Sequence, residues 1–243
     1  TMTEVKHLEE FLTGCSADSE VFKLRPDYRA MLLVVDGLAP LAAEENKEAV
    51  SELVMAAQTH ARSLLAASPV TELAHISAWR DAYRAFGAKP QRTRNSLEAL
   101  MRRADKGMPR VNALTDIYNA ISVIHQIPLG GEDFHSYEGP ARLVRATGHE
   151  DFETSANGEP VTEHPASGEV VWRDDLGVTC RLWNWRQCRR TGLSNGTQTA
   201  FFILDALAPV SDEDLEAATS HLLEALRLAG TELTWSKREL RAA

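Results

Sequence analysis

The sequence has 243 residues, of which 44% are hydrophobic and 25% charged, a composition typical of a folded globular protein. No run approaches the roughly 20 consecutive apolar residues of a membrane-spanning helix, and residues 1–11 are polar and acidic, unlike a secretory leader. We therefore expect a cytoplasmic protein without a membrane partner. Cys15, Cys180 and Cys188 form no Cys-x-x-Cys pair, which argues against a disulfide framework and against a thiolate zinc site.

The formal net charge of -9 argues against a nucleic-acid partner, because such partners usually meet a basic face. The charge is unevenly distributed along the chain, however. Nine basic residues lie between Arg80 and Arg110, against three acidic ones. A second basic group, without any acid, comprises Arg181, Arg186, Arg189 and Arg190. A local phosphate-binding face is therefore compatible with the negative total.

The first half of the chain reads mainly as helices. Residues 28–36 form a Val- and Leu-rich run that favours a buried strand, with a short helix as the alternative. Apolar residues at helical spacing predict a helix from Glu44 to Ala66. Capping residues and spacing predict three more helices, namely one from the cap Thr71 to Phe86, one from the cap Asn95 through Leu100, and one over Ala113 to His125.

The second half of the chain is rich in predicted strands, and a capping box at Ser211 predicts a last helix that ends at Gly230. The predicted strands are residues 141–146, 169–174, 178–182 and 199–207, with residues 175–177 turning a hairpin between the second and the third. Helices and clustered strands without βαβ alternation predict an α+β fold. We expect a mixed, largely antiparallel sheet packed with helices, in a single domain over residues 1–243.

A polar stripe marks the helix predicted over residues 113–125. Asn112, Asp116 and Asn119 recur at i, i+4 and i+7 and therefore share one side of the helix. One interpretation is a solvated face with Asn112 as the N-cap. The other is a row of hydrogen-bonding groups along the wall of a pocket.

Residues 180–191 form the densest cluster of large polar and aromatic side chains, including Trp183 and Trp185. Both Trp side chains could anchor the core, with the arginines as surface charges. Alternatively, they could shape a pocket that stacks on a ligand and binds its polar edge. The glycine pair in the segment Pro128–Asp133 is predicted to make a turn, and it could also let a ligand approach the backbone.

Five of these segments, in this order, resemble the B3/B4 domain family, and with their surroundings they span residues 83–207. The segments are Tyr83–Pro90, Arg94–Leu100, Asn112–Asn119, Pro128–Asp133 and Trp183–Cys188. In the bacterial phenylalanyl-tRNA synthetase β subunit, a domain of this family hydrolyses tyrosine wrongly attached to tRNA. Free-standing relatives edit in trans, and some remove canavanine, an arginine analogue. The resemblance implies a B3/B4-like fold and a trans-editing hydrolase that needs no cofactor.

The resemblance also implies the partner and the site residues. The partner would be a mischarged aminoacyl-tRNA, and an association with the translation machinery is compatible with it. Asn119 aligns with a pocket Asn of the synthetase. The expected catalytic group is Asn119, Asp116 and Asn184, without a metal. The expected substrate-binding residues are Gly130, Gly131, Asp133, Trp183, Trp185, Gln187 and Tyr118. The expected tRNA-binding residues are Arg84, Arg94, Arg186 and Arg190.

The sequence departs from the synthetase pattern at two places. A pocket His is replaced near Gly130 and Gly131, and an acidic residue falls around Arg189 or Arg190, so its charge is reversed. These departures argue against a tyrosine-specific pocket. Asp116 or Asp133 would bind a cationic side chain, such as that of an arginine analogue, or the α-amino group. The main rival is a non-catalytic module that binds tRNA or an amino acid. A metal-dependent hydrolase is disfavoured because no pair of ligands has a suitable spacing.

Overall fold

The computed structural model describes the backbone of residues 2–243 and the side chains of residues 6–243. The helices are α1 (Met2–Gly14), α2 (Ser19–Leu24), α3 (Lys47–Ala67), α4 (Ala74–Ala85), α5 (Ser96–Arg103), α6 (Ala113–His125) and α7 (Asp212–Leu226). The strands are β1 (Ser16–Ala17), β2 (Arg29–Asp36), β3 (Leu129–Asp133), β4 (Arg142–Arg145), β5 (Phe152–Ala156), β6 (Glu159–Glu163), β7 (Val170–Arg173), β8 (Val178–Arg181), β9 (Arg186–Gln187), β10 (Thr199–Ala206) and β11 (Thr234–Arg241).

The strands form three sheets. A central sheet has the order β11-β2-β10-β3, a second sheet has the order β1-β4-β7-β8-β9, and β5 pairs with β6. The pairing of β1 with β4 is parallel, and the other pairings are antiparallel. The fold is therefore α+β with a mixed, largely antiparallel arrangement, which confirms the prediction. Within the described residues, no helix is long and apolar enough to cross a membrane.

Strand β2 of the central sheet is buried on both faces. Met31, Leu33 and Val35 of β2 belong to the core that α6 and α7 cover. Leu32 and Val34 point the other way, into the core shared with the second sheet and α4. A strand buried on both faces needs an apolar residue at every position rather than at alternate ones, which explains the continuous apolar run in the sequence.

A buried carboxylate ties α5 to α4. The Glu98 side chain has no solvent exposure, and it accepts hydrogen bonds from Arg80 Nε at 2.8 Å and Arg102 Nε at 2.7 Å. Burial opposes ionisation, but the bonds from the two guanidinium groups outweigh it and hold the pKa of Glu98 below its usual value. The Asn95 side chain caps α5 by accepting from the Glu98 N–H, as its position predicts.

Two local predictions are wrong. The segment Pro128–Asp133 was expected to be a turn, but Leu129–Asp133 forms β3 and pairs with β10. Its glycines serve close packing instead, since a Cβ on Gly131 would lie 2.8 Å from the Phe202 ring. Thr71 does not cap α4, because residues 70–72 form a 3-10 turn and α4 begins only at Ala74.

The buried carboxylate generates a stability prediction. Glu98→Gln leaves the arginines around it without a counter-charge, and we expect it to lower the free energy of unfolding by about 2 kcal/mol. Glu44→Gln is the matched control, because Glu44 is largely exposed and, among the described side chains, pairs only with Lys47. Denaturant unfolding at pH 7 measures both variants. Equal midpoints for Glu98→Gln and the wild type would contradict the anchoring role.

Candidate functional site

A pocket of about 260 Å³ lies between the two larger sheets. β3 and β10 contribute one side and β7, β8 and β9 the other, while residues of α5 and α6 close it. The aromatic and apolar side chains of its wall include Trp172, Trp183, Trp185, Tyr118 and Ile203. The volume is below the about 300–1,000 Å³ of typical drug-sized ligand sites, so the pocket suits one amino-acid side chain or a group of that size.

The alternation of side chains along β3 and β10 determines which residues of these strands face the pocket. Gly130 and Glu132 of β3 line it, together with Ile203 and Asp205 of β10, and Gly130 pairs directly with Ile203. A Cβ on Gly130 would lie 2.5 Å from Gln187 Nε2. The missing side chain therefore makes room for the Gln187 amide beside the backbone of β3.

Asp205 lies at the centre of a buried hydrogen-bond network. Its Oδ1 accepts from the Tyr28 hydroxyl at 2.5 Å, and its Oδ2 accepts from Asn184 Nδ2 at 3.2 Å. The Asn184 Oδ1 accepts in turn from the Tyr83 hydroxyl at 2.7 Å. Burial raises the pKa of Asp205 from 3.8 to about 7, because none of these neutral donors replaces the hydration of a carboxylate.

Glu132 is a second buried carboxyl of the same pocket. It accepts hydrogen bonds from the hydroxyls of Tyr137 and Thr191, and burial raises its pKa from 4.5 to about 7. Among residues 6–243, no Lys, Arg or His forms an ion pair with Glu132 or Asp205. The described residues also hold no group of three His, Cys, Asp or Glu that could bind a metal.

A strained loop between β8 and β9 presents the aromatic wall. Leu182 and Trp183 have φ angles of 47° and 65°, a left-handed conformation that costs about 1–3 kcal/mol for each non-glycine residue. The Trp183 N–H donates to the Val170 carbonyl at 2.7 Å, and the Leu182 N–H donates to Glu169 Oε2 at 3.1 Å. These bonds hold the loop in place and direct Asn184 towards Asp205.

The mouth of the pocket is positively charged. The guanidinium carbons of Arg181 and Arg186 lie 5.3 and 5.4 Å from the centre of the Trp185 ring, within the range of a cation–π interaction. Arg181 also pairs with two carboxylates, whereas Arg186 and Arg103, which both line the pocket, pair with no acid among the described side chains. Their charge is available to an anionic ligand.

Two amide side chains at the pocket have unused hydrogen-bonding capacity. Asn119 projects from α6 and Gln187 from β9, and both line the pocket. Neither side chain makes a hydrogen bond to another residue in the described part of the chain. Each amide therefore offers two donors and one acceptor oxygen to a ligand or to water.

The structure brings many of the predicted site residues together and places others elsewhere. Those that line the pocket are Asn119, Asn184, Gly130, Trp183, Trp185, Gln187, Tyr118 and Arg186. Those outside its lining are Asp116, Gly131, Asp133, Arg84, Arg94 and Arg190.

The two aspartates outside the lining have structural partners. Asp116 accepts from Arg110 Nε at 2.9 Å and from the Val111 N–H at 2.8 Å, and it lines a separate cavity. Asp133 accepts from the Thr197 hydroxyl at 2.8 Å and caps the 3-10 turn that follows β3. Both carboxylates are thus already hydrogen-bonded.

The arginines outside the lining also have partners. Arg84 pairs with Asp81 at 3.0 Å, and Arg190 pairs with the buried Asp174 at 2.7 Å. Arg94 is different, because it shares the buried carboxylate of α5 with two other arginines. Its charge is therefore only partly neutralised.

The two buried carboxyls of the pocket were missed by the sequence analysis. Asp205 is the one acid within the apolar strand Thr199–Ala206, and a lone acid in a buried strand is a signal that could have identified it. Glu132 stands two positions after Gly130 and so shares its face once the segment is recognised as a strand. In a turn, Gly130 and Glu132 would not share a face, so the predicted turn gives no reason to place Glu132 at the site.

The raised pKa values predict an unusual pH dependence of stability. Asp205 and Glu132 keep their protons to about pH 7 in the folded state, whereas they release them near pH 4 in the unfolded chain. The folded state thus binds more protons between these values, and the free energy of unfolding should fall as the pH rises from about 4 to about 7.

Asp205→Asn should remove part of that fall while Asp105→Asn, at an exposed position, should leave it unchanged. Denaturant unfolding at pH 5.5 and pH 8 measures the difference. If both variants show the wild-type dependence, Asp205 does not titrate in this range.

Comparison with known proteins identifies the family. One similar solved structure is an N-terminal fragment of the phenylalanyl-tRNA synthetase β subunit from Pyrococcus horikoshii, with a TM-score of 0.47 and 12% identity, and the match covers 93% of this chain and 50% of that one. This chain thus spans about half the length of that fragment. The search of curated proteins gave no match. The family model of the B3/4 domain matches residues 78–223, more than half of the chain, and the chain therefore belongs to the B3/4 domain family.

Proposed function

We propose that this chain, folded as one B3/4 domain over its whole length, is a trans-editing hydrolase that removes a non-cognate amino acid from a mischarged tRNA. The observation that carries the proposal is the charge arrangement of the pocket. Among the described side chains, the two carboxyls inside the aromatic wall have no cationic partner, and two arginines at the mouth have no acidic partner. Such a pocket suits a ligand with a cationic end and a polyanionic end.

The carboxyls favour a cationic amino-acid side chain. A guanidinium or an ammonium group placed between Glu132 and Asp205 would supply the charge that these residues lack. An arginine analogue is one substrate with this property, and other non-cognate amino acids with a basic side chain share it. The Trp183 and Trp185 rings would enclose the aliphatic part of such a side chain.

The mouth would hold the end of the tRNA. Arg103 and Arg186 carry charge that no acid in the described residues neutralises, so they can bind the terminal phosphates. The ester that joins the amino acid to the terminal ribose would then lie between the mouth and the buried carboxyls. Asn119 and Gln187 also line the pocket, and their amides make no hydrogen bond to another described residue.

Hydrolysis of this ester needs few catalytic groups, because an aminoacyl ester is already activated. A water oxygen forms a bond to the carbonyl carbon, the bond from that carbon to the ribose oxygen breaks, and the departing ribose oxygen takes up the proton that the water loses. The amides of Asn119 and Gln187 would hold the water and donate to the developing oxyanion. Asn184 acts through Asp205 and is a positioning residue.

The proposal predicts deacylation that depends on Asn119. A panel of mischarged tRNAs, including canavanyl and tyrosyl forms, should contain at least one that the purified protein deacylates. Asn119→Ala should lower that rate by about 100-fold, the usual effect of losing one oxyanion donor. Asn195→Ala, at an exposed position outside the pocket, is the matched control and should keep the wild-type rate.

The same assay separates the rival function. If no tRNA of the panel is deacylated but tRNA binding is retained, the chain is a non-catalytic module that binds tRNA or an amino acid. Equal rates for Asn119→Ala and the wild type would remove Asn119 from the reaction while leaving hydrolysis itself intact.

A further inference from the structure

The surface beside the pocket mouth is strongly basic although the chain as a whole is acidic. Residues 87–107, which connect α4 to α5 and continue past α5, contain six basic and two acidic residues. One of the acids, Glu98, is completely buried, so solvent meets mainly positive charge. The α5 basic surface, as we name it, consists of Lys89, Arg92, Arg94, Arg102, Arg103 and Lys106.

Part of this charge is fixed by the buried carboxylate. Glu98 lies within 4 Å of three guanidinium groups, those of Arg80, Arg94 and Arg102. One carboxylate neutralises one of them, so two positive charges remain. The side chains of Arg94 and Arg102 are 41% and 34% exposed. Glu98 thus holds two partly exposed arginines in place, which lowers the entropy cost of binding an anion.

The rest of the surface is unpaired and continuous with the pocket. Lys89, Arg92, Arg103 and Lys106 are exposed, and none forms an ion pair with an acid among the side chains that the structure describes. Arg103 belongs both to this surface and to the lining of the pocket. Arg103 therefore links the α5 basic surface to the mouth of the pocket.

We propose that the α5 basic surface binds the sugar-phosphate backbone of an RNA strand whose 3′ end enters the pocket. The identity of the strand as tRNA rests on the proposed function. Repeated phosphates match a row of guanidinium and ammonium groups, and such contacts need no particular base sequence. By contrast, Arg84 and Arg190 are neutralised one to one by Asp81 and Asp174, so they contribute little to this path.

The composition of the surface favours RNA over an anionic membrane. Proteins that lie on a membrane insert large apolar side chains beside their basic residues. The large hydrophobic side chains that are exposed in the described structure are Leu41, Met55, Val111, Leu176 and Trp235. All of them lie outside residues 87–107, so the segment that carries the basic surface contributes no exposed large apolar side chain.

The test uses an uncharged RNA hairpin with a single-stranded 3′ end, so that binding is measured without any hydrolysis. Dissociation constants are determined over a range of salt concentrations for the wild type and for the variant R92Q/R103Q/K106Q. None of these three residues pairs with Glu98, so the fold should be retained. The slope of log affinity against log salt should flatten by about 2, at roughly 0.7 per lost phosphate contact.

The control is R84Q/R142Q/R241Q, which removes the same number of charges from arginines that each pair with an acid. It should keep the wild-type slope to within about 0.7, one phosphate contact. Equal flattening in both variants would overturn the α5 path, since net charge alone would then explain binding. Binding of phosphatidylserine vesicles instead of the hairpin, with loss in the α5 variant, would overturn it as well.

The proposed function and the RNA path fail in different ways. A protein that binds the hairpin through α5 but deacylates no tRNA supports the path and rejects the hydrolase. A protein that deacylates a mischarged tRNA with the same rate and salt dependence in the wild type and in the α5 variant supports the hydrolase, rejects the path and leaves Arg186 without Arg103 as the phosphate-binding residue of the mouth.

Discussion

Two carboxyl groups buried without a cation are the constraint on which the pocket depends. Moving a charged carboxylate out of water is costly unless an opposite charge or several hydrogen bonds replace the lost hydration. Within the described residues, Asp205 and Glu132 accept hydrogen bonds only from hydroxyl and amide groups, and burial raises their pKa values. A ligand that brings a cation would relieve this cost, and the proposed function rests on this property of the pocket.

The surrounding structure holds this arrangement rigidly. Tyr28 and Asn184 fix both oxygens of Asp205, and the strained backbone at Leu182 and Trp183 places Asn184 where it can do so. Local strain of this kind is retained where it serves a site rather than stability. The central sheet supports the position of Asp205, because its strands β2 and β10 are buried along almost their whole length.

Local signals in the sequence predicted much of the fold. The cap residues Asn95, Asn112 and Ser211 accept hydrogen bonds at the starts of α5, α6 and α7, as short-range rules require. The β5–β6 hairpin was missed although its Asn157-Gly158 turn, with both φ angles positive, is a strong hairpin signal. β11 was missed because an edge strand with a half-exposed surface has little apolar periodicity.

The pocket was harder to predict because it joins residues that are distant in the chain. Asn119, Trp183 and Gln187 were expected at the site from short motifs, and the structure places them around one cavity. No local pattern brings Asp205 next to Tyr28, since that contact spans 177 positions and requires β2 and β10 to pair in one register. The basic residues of 80–110 were visible in the sequence, but only ion-pair geometry separates free charges from neutralised ones.

The most direct test of the proposed cation binding is the pH dependence of affinity for a non-hydrolysable ligand, an arginyl-adenosine analogue with an amide in place of the ester. Calorimetry at pH 6 and pH 8 should show affinity that rises by about tenfold for each carboxyl that must ionise near pH 7. The Asp205→Asn variant should lack the roughly tenfold rise in affinity that ionisation of Asp205 contributes. Equal wild-type affinity at the two pH values would contradict the account, because ionised carboxylates would then play no part in holding the ligand.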